Sequence, residues 1–274
     1  MSSSISDPRL SATILLLRDS ADETVAKELE VLMVARHYQI DFASGALVFP
    51  GGKVVADDRS PSWVEDGLVT GDYSGDDLAS RIGAVRETYE EAGILLARPK
   101  GAAGAGERLV GQDVADRLAP HRSAVDKGEM DFSKLIAEHD LVLALDTLVH
   151  YAHWVTPTMM PKRFDTHFFL AVTPPAQSAV HDGRETTDAI WISPQNAIDR
   201  AEAGTATIIF PTKMNLHRLT LTSTSADALK RFSEDVVTTV LPEMDKLPDG
   251  RPCLRIPEVE GYPVTLEPLE NIRA

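Results

Sequence analysis

The chain has 274 residues, 43% of them hydrophobic and 25% charged, which excludes wholesale disorder and is ample for a buried core. A net charge of −15 repels DNA, RNA and anionic membranes at long range, yet it allows a small anion wherever a cation reverses the local field. The single cysteine, Cys253, excludes an internal disulfide framework and any multi-cysteine zinc site; no apolar run approaches the roughly 20 residues of a membrane span and "MSSSISDPRLS" is no secretory leader, so the expected home is the cytoplasm.

Residues 10–17 and 29–35 read as short buried strands on either side of a polar, acidic turn. Residues 45–49 read as a third strand, which the run Pro50-Gly51-Gly52 breaks. The polar, turn-rich stretch 53–75 reads as an inserted loop. From about Asp76 to Leu96 the pattern is helical: Leu78, Ile82, Val85 and Tyr89 recur at spacings of three or four, on a face distinct from most of the charges. The small, glycine-rich 98–108 reads as a linker; it lacks the Gly-Lys-Ser/Thr ending of a phosphate-binding loop. Helices are expected at 109–119 and 131–138, and strands at 141–149, 164–172 and 189–192. Ser193, Pro194 and Gly204 punctuate a further helix. Two more helices are expected at 211–221 and 225–240, then an extended, proline-rich tail from 248. Strands interleaved with helices predict a layered α/β or α+β fold.

The stretch "AVRETYEEAGI" at 84–94 raises a question of charge. Glu87, Glu90 and Glu91 stand at i, i+3 and i+4, so they share one helix face with neighbours about 5–6 Å apart. Arg86 offsets only one of the three charges. A solvated acidic surface tolerates such a cluster. So does a divalent cation, and Mg²⁺ and Mn²⁺ are the oxygen-preferring ions that join carboxylates to phosphates. Among the histidines, His37, His150, His153 and His167 show no zinc-binding spacing and read as partners in local hydrogen bonds. Trp154 suits core packing or base stacking.

Together "FPGGK" at 49–53 and "RETYEEAGI" at 86–94 resemble the box of the Nudix hydrolases, G-x5-E-x7-R-E-U-x-E-E-x-G-U with U a bulky apolar residue. Residues 86–94 match its second half at every fixed position, with Thr88 in the first apolar slot, and Gly51-Gly52 match its start. Two departures stand out. The segment between the glycines and the helix is 20 residues too long. Counting seven intervening residues back from Arg86 reaches Leu78 where the family has Glu, with Asp76 and Asp77 beside it as partial substitutes. The segments "VLMVARHYQIDFASGALVFPGGKV", "HWVTPTMMPKRFDTHFFLA" and "ETTDAIWISPQNAI" further resemble the coenzyme A diphosphatase branch that includes peroxisomal enzymes. Arg36 is the one arginine in the lead-in where that branch carries more, and the terminal "ENIRA" carries no peroxisomal tripeptide.

The resemblance implies a Nudix-type α/β/α sandwich with a mixed sheet, as a single domain over 1–274. Its embellishments would be the insertion at about 53–75, a helical insertion at about 100–140 and a helical or extended C-terminal region at about 205–274. It implies metal-dependent hydrolysis of a pyrophosphate bond in a nucleoside diphosphate derivative, with Mg²⁺ or Mn²⁺ held by Glu87, Glu90, Glu91 and the main-chain carbonyl of Gly51. Glu87 would also orient the attacking water or take its proton, and Arg86 would hold a motif glutamate in position. Glu185 would serve as a helping carboxylate, unless it is a solvated loop acid. Arg36, Lys53 and Arg163 are candidate phosphate anchors, each also readable as a surface or structural charge. Coenzyme A or acyl-coenzyme A is the expected substrate. ADP-ribose or NADH is the alternative, and a ligand-binding module that has lost catalysis is a third reading, which Leu78 favours and the three retained glutamates oppose. The expected partner is thus a small molecule, with neither nucleic acid nor membrane; the extra helices and tail offer surface for a homodimer.

Overall fold

The computed structural model describes residues 6–20, 28–36, 45–102, 108–181 and 186–272. In chain order the strands of its first third are β1 (Arg9–Asp19), β2 (Leu29–Arg36), β3 (Leu47–Val48) and β4 (Gly51–Lys53), followed by helices α1 (Ser62–Glu65) and α2 (Gly75–Ala92). The middle third carries β5 (Ala97–Pro99), α3 (Gln112–Leu118), α4 (Arg122–Asp126), α5 (Phe132–Glu138), β6 (Leu141–Leu143), β7 (Val149–Val155) and β8 (Phe164–Val172). The last third carries β9 (Thr186–Ile192), α6 (Pro194–Glu202), α7 (Phe210–Leu219), α8 (Ser225–Ser233), β10 (Thr239–Val240), β11 (Glu243–Lys246), β12 (Pro252–Arg255), β13 (Leu266–Pro268) and α9 (Leu269–Ile272).

Alternation along β1 builds the layers. Ala12, Ile14 and Leu16 enter one apolar cluster, and Leu15 and Leu17 enter another, because successive strand side chains point to opposite faces. A strand apolar on both faces must be covered on both. Here α2, α3, α4 and α5 supply the first cover and α6, α7 and α8 the second. The sheet runs β10-β7-β8-β1-β2-β3, with β4 also on β1 and β9 on β2. β1 is parallel to β8 from Arg9↔Phe164 to Leu17↔Val172, and antiparallel to β4 and β2, so the sheet is mixed. The expected α/β/α sandwich is what forms. Among the described residues, no helix is long and apolar enough to cross a membrane.

Several local expectations fail for physical reasons. The strand expected at 141–149 is two strands. Asp146 turns the chain between them by accepting two hydrogen bonds from Arg98, at 2.6 and 3.0 Å. The helix expected over 225–240 stops at Ser233, and the β-branched run Val236 to Val240 ends in β10, beside β7. The tail folds into the three-stranded antiparallel sheet β11-β12-β13, with Cys253 buried in its middle strand. Trp154 is buried and donates to the Tyr262 hydroxyl at 3.0 Å, which removes it as a base-stacking surface. The helix expected to reach Leu96 ends at Ala92, because Gly93 takes the left-handed conformation (φ 69°) and its N–H caps the Tyr89 carbonyl.

The stretch 53–75 is more than a loop. Trp63 of α1 is fully buried and meets Phe132 of α5 at 5.9 Å between ring centroids. Phe132 in turn stacks on Tyr89, whose hydroxyl donates to the Leu118 carbonyl at 2.6 Å. These segments form a second wall over α2. Every residue from Ala79 to Ala92 is therefore buried, and the expected polar outer face does not exist.

Candidate active site

Enclosure of α2 changes the meaning of its charges. Glu87, Glu90 and Glu91 are 9%, 6% and 5% exposed, too little for a solvated acidic surface. Charged groups removed from water need partners, and α2 and β4 supply some of them. The Gly51 N–H donates to Glu91 Oε2 at 3.0 Å. Gly52 lies so close under Glu87 that a Cβ there would sit 2.4 Å from Oε1, so no other residue fits without moving the carboxylate. Thr88, the polar residue in an apolar slot, returns its hydroxyl to the Ala84 carbonyl at 2.7 Å.

Arg86 is the hub. Its Nε and Nη2 donate to the two oxygens of Asp58 at 2.9 and 3.1 Å, and its Nη2 also reaches the Lys53 carbonyl at 2.8 Å. Its Nη1 lies 2.8 Å from Glu90 Oε2 and 3.0 Å from Glu87 Oε1. Burial by itself would lower the affinity of this guanidinium for its proton. The surrounding Glu87, Asp58 and Glu90 reverse that and hold its pKa well above the ordinary value.

Asp58 was not singled out from the sequence, and it corrects the reading of the motif. Leu78 does not occupy the slot of the first acidic residue; it packs against the core beneath α2. Asp76 and Asp77 do not substitute either. They pair with Arg59 and Arg81 at 2.6 and 3.0 Å, and Asp77 lies ten residues before Glu87, about 15 Å along the helix axis. Counting forward from Gly52, five residues lead to Asp58, so the spacing G-x5-D is intact and the 20 extra residues fall after it. That forward count was the available signal. Asp58 is 1% exposed, and burial pushes its carboxyl above the usual range against the opposing pull of Arg86.

Glu90 carries the clearest sign of an absent partner. Its Oε1 is buried with no hydrogen-bond partner among the described residues. Burial, with a smaller push from Glu87, raises its pKa to about 8 even though Arg86 pulls the other way. An orphaned buried oxygen on a helix that carries two further buried carboxylates supplies oxygen donors of the kind a hard divalent cation prefers, although as they stand the three are not drawn together to coordination distance. Glu90 also lines a cavity of about 180 Å³ with Ala119, Pro120, Arg122, Ser123, Asp126 and His181, so the helical insertion walls this site. Arg122 donates to the main-chain carbonyls of Glu90 and Val180, at 2.8 and 3.0 Å. A larger hollow of about 530 Å³ over β9 and α6 has, among the described residues that line it, no orphaned buried side-chain atom.

The other expected residues are scattered. Lys53 ends β4 with an exposed side chain. Arg36 ends β2, and its side chain lies outside the described residues, as does the whole of Glu185. Arg163 is corrected: it is 8% exposed and spends its Nε and Nη1 on the carbonyls of Thr156 and Ser6, at 3.0 and 2.8 Å. It clamps the start of β8 to the N-terminal segment, which is structural work.

The family model described as the NUDT19 Nudix domain matches residues 65–219. The acyl-coenzyme A diphosphatase NUDT19 of Gallus gallus is 29% identical over 249 residues, which are 76% of this chain and 65% of that protein. The Homo sapiens protein of the same name is 30% identical over 214 residues, 64% of this chain and 56% of its own length. The chain thus spans between about half and two thirds of these relatives' length. A crystal structure of a Nudix hydrolase from Alicyclobacillus acidocaldarius superposes with a TM-score of 0.68 at 28% identity, over 85% of this chain and 100% of that one.

Proposed function

The chain belongs to the NUDT19-type Nudix domain family, and from that premise we propose that it is a metal-dependent diphosphatase that splits the pyrophosphate bond of coenzyme A or acyl-coenzyme A. The relatives named as acyl-coenzyme A diphosphatases support this substrate class. The observation that carries the chemistry is the buried Oε1 of Glu90, unpartnered among the described residues, on the same helix as the buried Glu87 and Glu91.

In this reading Glu87, Glu90 and Glu91, with the Gly51 main chain, hold Mg²⁺ or Mn²⁺. Such an ion, when bound, supplies neutralisation of the pyrophosphate and of the charge that builds on the leaving oxygen. Arg86 orients Glu87 and Glu90, and Asp58 orients Arg86 through its paired contact. Gly52 leaves room for Glu87 to face the reacting water and accept its proton. Glu185 is the proposed helping carboxylate, and Arg36 and Lys53 the phosphate anchors; Arg163 is not among them. The chain is read as one domain whose two insertions build the wall over α2. The reading extends to a reducing cytoplasm, which the unpaired, buried Cys253 supports.

The test is incubation of the purified chain with coenzyme A and Mg²⁺ or Mn²⁺, with products separated by chromatography. The expected products are 3′,5′-ADP and 4′-phosphopantetheine. Cleavage of ADP-ribose or NADH but not of coenzyme A would move the substrate. If no diphosphate is turned over and metal leaves the melting temperature unchanged, the protein is a binding module.

A further inference from the structure

A second constellation of ligating side chains lies on β7 and β8, independent of the reading above. His153 of β7 pairs in register with His167 of β8, and Asp165 lies two residues back on the same face of β8. A register shift between His150 and Ala152 brings His150 onto this face too, with its Nε2 at 3.1 Å from His167 Nδ1. The rings of His153 and His167 stack with centroids 4.2 Å apart. His153 Nε2 also contacts Asp165 Oδ1, and its Nδ1 lies 2.8 Å from Thr239 Oγ1.

We propose that His153, His167 and Asp165 form a binding site for a divalent transition-metal ion of the zinc, nickel or cobalt class, separate from the glutamates of α2. One donor atom from each residue lies within 4.8 Å of the others. Two ligands of one such ion, each about 2.1 Å from it, stand at most about 4.2 Å apart, so closing the site takes a shift of roughly half an ångström. Two imidazoles and one carboxylate select these borderline ions over Mg²⁺, which prefers oxygen. All three residues are half-buried, which leaves coordination positions open to water.

The neighbours prepare the lone pairs. With the His167 Nδ1–H donating to His150, the His167 Nε2 keeps its lone pair; Thr239 backs His153 in the same way. Asp76 and Asp77 at the start of α2 add negative potential to the site, which Arg81 partly offsets. Register pairs link His153, His167, Ala12 and Gly52 in one row across β7, β8, β1 and β4. At about 4.8 Å per strand, His167 is about 10 Å from Gly52, so an ion here would be distinct from one held beneath Glu87.

Calorimetric titration of the full chain with Ni²⁺ or Zn²⁺, in excess Mg²⁺ to fill the glutamate site, tests the assignment. One equivalent should bind. The double variant His153→Gln, His167→Gln should weaken that binding about a hundredfold, and Asp165→Asn about tenfold, while Glu90→Gln leaves it unchanged. Co²⁺ should give ligand-field absorption bands in the wild type that the double variant loses. No uptake by the wild type, uptake indifferent to the histidine changes, or uptake lost in Glu90→Gln would each overturn the proposal. Should the double variant fail to fold, the cobalt spectra of the wild type and Asp165→Asn decide it: identical spectra, or no bands in the wild type, refute the site.

Discussion

Each side of the sheet buries an arginine on a helix, and the two are treated differently. Arg86 of α2 and Arg218 of α7 are 4% and 5% exposed. Arg218 donates to one carboxylate, Asp235 at 2.7 Å, and to the Tyr151 carbonyl. The rest of its guanidinium, including an Nε with no hydrogen-bond partner among the described residues, lies against the rings of Tyr151 and Phe232, each 4.8 Å from its central carbon. Arg86 instead faces Asp58, Glu87 and Glu90, and one Glu90 oxygen still lacks a partner among the described residues. A buried cation matched by one carboxylate and aromatic faces is scaffold. A buried cation ringed by three carboxylates marks a place where negative charge is held in reserve for another cation. Local charge balance, more than burial, separates the two.

The sharpest way to break this comparison is to remove each arginine. Arg86→Ala should cost about 3–5 kcal/mol in urea unfolding, because it strands buried carboxylates, and should abolish diphosphatase activity in the molecules that remain folded. Arg218→Ala should cost less, about 2–3 kcal/mol, since it strands one half-exposed carboxylate and a carbonyl. It should leave the proposed metal response of the folded protein intact; a lost response would erase the distinction. Next in size, Gly52→Ala should cost about 1–3 kcal/mol by overpacking and should depress kcat more than KM, because the added methyl displaces Glu87. The smallest effect has the opposite sign. Above about pH 8, where the Glu90 carboxyl is ionised, Glu90→Gln in metal-free protein should raise stability by about 1–2 kcal/mol, because it removes a buried, half-satisfied charge, while the rise in melting temperature expected of the wild type with Mg²⁺ or Mn²⁺ disappears. Destabilisation of the metal-free variant would show that Glu90 is fully paired without an ion.

Much of the site was legible because it is local. Arg86, Glu87, Glu90 and Glu91 lie within six residues on one helix, so helical spacing alone places them together. Asp58 was missed because the motif was counted backward from Arg86, through the insertion, and that count reached Leu78. Counted forward from Gly52 the spacing holds, since an insertion disturbs only the side on which it falls. β7 and the sheet β11-β12-β13 were missed although most of their partners lie close in the chain, because a short, partly polar segment carries little periodicity to announce a strand. His153 and His167 are 14 residues apart in the sequence, a separation with no local meaning. They meet only because strand register and one bulge put them on the same face.

What the sequence by itself determined was whatever depends on near neighbours: the alternation that covers β1 on both faces, the glycine that ends α2, and the crowding of glutamates on one turn. Tertiary structure alone decided how those glutamates behave. On an exposed helix they would be solvated acids; the insertion that brings Trp63 and Asp58 over α2 takes their water away, and a carboxylate out of water must find a proton, an arginine or a metal ion.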